Sequence, residues 1–152
     1  MKQGQKAFSI IELVAVVLLL GIFAYIAIPK LKLNMLDRNA SETQAQKIIT
    51  DLRLARNMAV TDAARNTSGF EVQMAGSSPY HSYNIVNLAT SSVVSTNTIS
   101  NNVSCTGGTL FKFGPLGNLL SGSSSQLVVS GAGKTTTINV IAATGTVECV
   151  EN

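Results

Sequence analysis

The chain has 152 residues, enough for one domain plus an apolar N-terminal segment, and only 12% of them are charged. A cytosolic enzyme of this size carries about twice that share of charge, so composition argues against that class. The formal charge of +3 overstates the basicity of the body, because without Lys2 and Lys6 nine Lys/Arg face eight Asp/Glu, and no basic face for nucleic acid stands out.

Residues 1–7 form a short basic leader, and residues 8–28 form an apolar run whose one ionisable acid is Glu12. As a helix those 21 residues span about 31 Å, the thickness of a bilayer's hydrocarbon core. The run therefore predicts a membrane-spanning helix over residues 8–29. A secretory signal peptide has a shorter apolar region and an Ala-x-Ala-like cut, and "AIPKLKLN" offers no such site. A plain signal anchor gains nothing from Glu12, since a carboxylate inside the run costs about 2.5–3.5 kcal/mol. The acid needs a partner that appears later. Cleavage between Ala7 and Phe8 creates an α-amino group four residues from the Glu12 carboxylate. In a bundle of staggered copies, the amine of one subunit neutralises Glu12 of its neighbour, and the pair sets the axial register.

The leader, the small residue and "FSIIELVAVVLLLGIFAYIAIP" resemble the class III leader and N-terminal helix of type IV pilins and type II secretion pseudopilins. Phe8 falls on the first mature residue of that pattern and Glu12 on its hallmark acid. Ala7 stands where the family mostly has Gly. Gly21 and Pro29 match positions where pilin helices loosen or kink, and a poor helix former and a missing backbone donor act in that direction by themselves. The resemblance implies processing by a prepilin peptidase with N-methylation of Phe8. It also implies residence in the bacterial inner membrane with the head in the periplasm, followed by assembly with other pilin or pseudopilin subunits.

Beyond Pro29 an amphipathic second half of the helix is expected over residues 30–65. Ala45, Ile48, Leu52, Ala55 and Ala59 recur at steps of three and four and make one apolar stripe, to be buried against a sheet. Glu42, Gln46, Asp51, Arg53 and Asp62 mark the opposite face. "SETQ" reads as a capping box restarting the helix at Ser41.

Residues 66–152 are expected to form a β-rich head. "GFEVQM", "HSYNIV", "TLFKF", "QLVVS", "TTTINVIA" and "GTVECV" are short, rich in β-branched and aromatic residues, and separated by Gly/Ser/Asn turns. The Ser/Thr/Asn-rich residues 89–102 read as a loop or an edge strand. The fold class is α+β: a long N-terminal membrane-spanning helix packed on a C-terminal antiparallel sheet. "LRLARNMAVTDAARN", "FKFGPLGNLLSG" with "LVVS", and "ATGTVECV" resemble the GspH/FimT family of minor pilins and pseudopilins, which implies a minor structural subunit. A major pilin and a DNA-binding pilin for uptake are the alternatives. The DNA receptors of that family carry Arg near the C-terminal end, where this chain reads "TGTVECVEN".

Cys105 and Cys149 match no zinc or redox spacing. If this part of the chain is exported, a disulfide between them is the natural reading, against two free thiols. "GAGKT", Gly131 to Thr135, lacks the first glycine of a P-loop and reads as a hairpin turn. His81 is the only histidine, with no acidic or Cys neighbour in sequence. No catalytic residue, metal ligand or cofactor site is expected.

Overall fold

The described residues form two helices and eight strands: α1 (Ile10–Ala27), α2 (Asn34–Thr61), β1 (Phe70–Ala75), β2 (Ser82–Asn87), β3 (Ser92–Thr98), β4 (Ser104–Gly107), β5 (Leu110–Phe113), β6 (Gln126–Gly131), β7 (Lys134–Val140) and β8 (Val147–Glu151). The computed structural model describes residues 9–27 and 34–151. The chain divides into two units, residues 1–33 and residues 34–152, and the second is called the head below.

The head is built around α2. Its predicted stripe of Ala45, Ile48, Leu52, Ala55 and Ala59 is at most 1% exposed, with Ile49 buried beside it. The stripe faces β1 and β5 on one side and β6, β7 and β8 on the other. These strands lie in two antiparallel four-stranded sheets, in the orders β3-β2-β1-β5 and β4-β6-β7-β8. Alternation puts Phe70, Val72, Met74, Tyr83, Ile85, Phe111 and Phe113 of the first sheet in the core. Leu127, Val129, Ile138, Val140 and Val147 of the second join them. The six strands read from alternation all form, and residues 89–102 supply β3, an edge strand.

The expected architecture is corrected in three respects. A single long N-terminal helix was expected, and two helices form instead. Among the described residues no helix is long and apolar enough to cross a membrane. The 18 residues of α1 rise about 27 Å, short of the roughly 20 apolar residues a span needs, and α2 is longer but polar along one side. The expectations of a transmembrane helix and of single-pass anchoring in the inner membrane are therefore withdrawn.

Second, there are two sheets where one was expected. The switch lies at Gly107, whose φ of 111° is open to glycine and strained for other residues. Gly107 still pairs with Leu127 of β6, and Gly108 donates to the Gln126 carbonyl at 2.8 Å. One residue on, the Thr109 carbonyl accepts from Met74 of β1 at 2.8 Å. The chain leaves one sheet and enters the other within three residues.

Third, Ser41 caps no helix. It lies inside α2, is 3% exposed, and its hydroxyl points at the Gly131 carbonyl 3.5 Å away. The helix also stops earlier than residue 65. Beyond Thr61 a turn follows in which Arg65 and Asn66 both donate to the Asp62 carbonyl. Asn66 then closes the exit: its side-chain oxygen accepts from the backbone of Ser68 and Gly69, and its amide donates to Asn87.

The disulfide expectation is corrected as well. Both cysteines are free thiols. Cys105 lies on β4 and Cys149 on β8, the two edges of the second sheet with β6 and β7 between them. Three strand spacings make about 14 Å, against the 4.4–6.8 Å between α-carbons that a disulfide tolerates. Cys105 is buried and Cys149 exposed. Alkylation of the native protein without reductant is therefore expected to label Cys149 alone, with Cys105 reacting after unfolding. Recovery of a bridged peptide on mass spectrometry would contradict this.

Candidate functional site

Helix α1 is apolar on every side. Ile10, Ile11, Leu13, Val14, Val16, Val17, Leu18, Leu19, Leu20, Ile22, Phe23 and Tyr25 are each between 47% and 84% exposed. A helix apolar all round is one that buries its whole circumference against something else. Glu12 is the acid of its first turn and is exposed. The backbone amides of Glu12 and Leu13 donate to the Ser9 carbonyl at 3.0 and 3.1 Å, so Ser9 stands at the N-cap and Glu12 three residues inside. That is the Ser-x-x-Glu spacing of a capping box, a signal legible in the sequence that the reading of Glu12 passed over. A carboxylate there also suits the positive end of the helix dipole. The helix runs through Gly21 without a break, and a side chain at Gly21 would meet open space. Ala7, Phe8 and Pro29 lie outside the described residues.

In the head, polar groups act mainly as ties between distant parts. The Arg56 Nε donates to the carbonyls of Gly117 and Thr144 at 3.1 and 3.0 Å. Arg53 donates to the Val147 carbonyl at 3.1 Å. Arg56 therefore holds the β5–β6 and β7–β8 connections onto α2 and Arg53 holds the start of β8, where sequence placed Arg53 only on the polar face with Asp51 and Asp62. Asp51 instead accepts from the hydroxyl of the fully buried Tyr83 at 2.6 Å. Lys134 bridges Glu42 of α2 at 3.0 Å and Glu151 of β8 at 3.2 Å. The hydrogen bonds to those two carboxylates, Glu42 first, hold its ammonium above the ordinary lysine range. The "GAGKT" stretch is a two-residue hairpin: Gly131 pairs with Lys134, and Ala132 and Gly133 turn with φ of 49° and 79°.

Two buried groups make the head sensitive to alkali. Burial pushes the Cys105 thiol from 9.0 up to about 12. Burial, then the hydrogen bond to Asp51 and its charge, raise Tyr83 above the ordinary tyrosine range. Both groups are neutral when folded and ionise earlier when unfolded. Their contribution is complete below the unfolded values and is lost as pH rises through the folded ones. Urea midpoints are expected to hold up to about pH 8.5 and to fall from about pH 9 upward. Cys105→Ala should delay the onset towards the tyrosine range, and an unchanged onset would contradict the assignment.

His81 is exposed, and among the described residues no group of His, Cys, Asp and Glu could hold a metal ion. Compared with protein-family models, with curated proteins and with solved structures, the chain finds no match.

Proposed function

We propose that the chain is a structural subunit of a helical filament of the type IV pilin and type II secretion pseudopilin class. It is cut after Ala7 by a prepilin peptidase and held in the filament by α1. The observation that supports this most is the bare apolar circumference of α1, which copies of the same helix would cover. Burying one Leu, Ile, Val or Phe side chain is worth about 1.5–3 kcal/mol. Partial cover of eleven such side chains outweighs the roughly 4–15 kcal/mol that association costs. Glu12, alone among these apolar residues, gives the bundle its register through the new amine of Phe8 in a neighbouring copy. The GspH/FimT resemblance supports a minor over a major subunit, and copy number in sheared filaments separates the two.

The reading has a direct chemical test. Intact-mass measurement and N-terminal sequencing of protein from the producing cells are expected to find Phe8 first, with a methylated amine. Retention of Met1 in assembled protein would overturn the proposal.

A further inference from the structure

Between α2 and the start of β8 lies a pocket of about 210 Å³, lined by Arg53, Arg56, Asn57, Gly145, Thr146 and Val147. Arg53 and Arg56 stand three residues apart on the helix, so they leave it on one face with β-carbons about 5–6 Å apart. Backbone carbonyls fix where both guanidiniums end. The Val147 carbonyl accepts from Arg53 at 3.1 Å, and those of Gly117 and Thr144 accept from Arg56 at 3.1 and 3.0 Å. The turn that carries Thr144 is itself closed. Gly145 donates to the Ile141 carbonyl at 2.7 Å, and the hydroxyls of Thr144 and Thr146 share a hydrogen bond of 2.7 Å. Groups held in this way lose little freedom when a ligand enters.

The charge of the pair is unmet. Each guanidinium spends a single N–H on these carbonyls and keeps the rest of its fork. Among the described residues the ion pairs are those of Lys134, so no carboxylate neutralises either arginine. Asp51 is turned to the Tyr83 hydroxyl, and Asp62 lies past the last residue of α2. Glu148 is exposed and alternates with the buried Val147 onto the outer face of β8. Like charges at helical spacing repel each other, and an anion between them removes that cost. Guanidinium forks match oxyanions in geometry as well as in charge. Two of them with no acid nearby match a dianion better than a monoanion. The pocket is smaller than the roughly 300–1,000 Å³ of sites that enclose a whole small molecule, so it has room for one such group.

We propose that this pocket binds a phosphate group in its dianionic form, as the free anion or as a monoester. The site lies in the head and does not depend on assembly through α1, so its failure and that of the filament reading are distinguishable. The test is calorimetric titration of the full chain in a non-ionic detergent at about pH 8, where phosphate monoesters are dianionic. Inorganic phosphate or methyl phosphate is expected to bind with Kd of about 1 mM, and the monoanions dimethyl phosphate and acetate at least about tenfold more weakly. Tighter binding of methyl phosphate marks a monoester as the ligand, and tighter binding of inorganic phosphate marks the free anion. Arg53 and Arg56 also tie the head together, so the variant to use is Asn57→Asp, which sets a carboxylate beside them at an exposed position. It should keep the melting temperature and weaken phosphate binding about tenfold or more. Lys47→Gln removes a positive charge from another exposed position of α2 and should leave binding unchanged. The proposal is overturned if neither phosphate binds at about 10 mM, or if either monoanion binds as tightly. It is equally overturned if Asn57→Asp binds as the parent does, or if Lys47→Gln weakens binding as much as Asn57→Asp.

Discussion

Replacing Glu12 by leucine is expected to leave the head folded and to exclude the chain from filaments. Glu12 lies on α1, outside the unit that holds the core, so the melting transition of the head should not move. What changes is the environment of the neighbouring copy's α-amino group after cleavage. It would enter the apolar bundle with no anion to meet it. Breaking a buried ion pair in this way costs about 3–5 kcal/mol, which lowers incorporation by a factor of 100 or more on the scale of about 1.4 kcal/mol per tenfold. The local part of Glu12, its favourable place at the start of the helix, is worth only about 0.3–1 kcal/mol. Loss of helix stability alone is therefore too small to produce the effect. Glu12→Gln should be nearly as poor, because an amide keeps a hydrogen bond and gives up the charge. The measurement is the sheared-filament fraction relative to total protein for the parent and both variants. Equal incorporation of Glu12→Leu would sink the ion-pair account.

The second large effect is expected in the head. Gly145→Ala should lower the melting temperature by about 10–20 °C, from a loss of roughly 3–5 kcal/mol. Two penalties act together. At a φ of +64° an alanine carries backbone strain of about 1–2 kcal/mol. Its β-carbon would also overlap the Gly117 carbonyl oxygen, with the Arg56 side chain 3.2 Å away. That carbonyl is the one Arg56 holds at 3.1 Å, so moving it aside also breaks the tie between α2 and the β5–β6 connection. Gly133→Ala separates the two penalties. Its φ is +79° and a β-carbon there meets nothing within 4 Å, so only the strain term remains and the shift should be a few degrees. Similar melting temperatures for the two variants would show that the close approach at Gly145 contributes nothing.

Much of the head was legible because its signals are local. The α2 stripe from Ala45 to Ala59 repeats at helical spacing, and all five members are buried. Phe111 and Phe113 flank Lys112 at strand spacing, and both point into the core while Lys112 stays half-exposed. The "GAGKT" hairpin follows from Gly133, which accepts positive φ freely, between two alternating runs, and Ala132 takes its φ of 49° against its own preference. In α1 the sequence shows an apolar segment with a carboxylate near its start. The membrane-spanning helix read from that segment is not what forms: among the described residues α1 has 18 residues and no helix is long and apolar enough to cross a membrane.

The rest depended on partners far along the chain. Strand β4 reads Ser-Cys-Thr-Gly, with no apolar alternation to show a period, and its identity comes from pairing with β6, from Gly107 with Leu127 to Ser104 with Ser130. Arg56 reaches carbonyls 61 and 88 positions away, and nothing around it in sequence marks it as a tie rather than a solvated charge. Cys105 and Cys149 invite a bridge because both lie in the polar half of the chain. Sheet order alone sets them on opposite edges. Composition and periodicity determined which segments are helix or strand and which faces are apolar, because those preferences act over a few residues. The division into two sheets, the arginine ties and the fate of the thiols were decided by tertiary structure, because strand partners are chosen by the packing of the whole core.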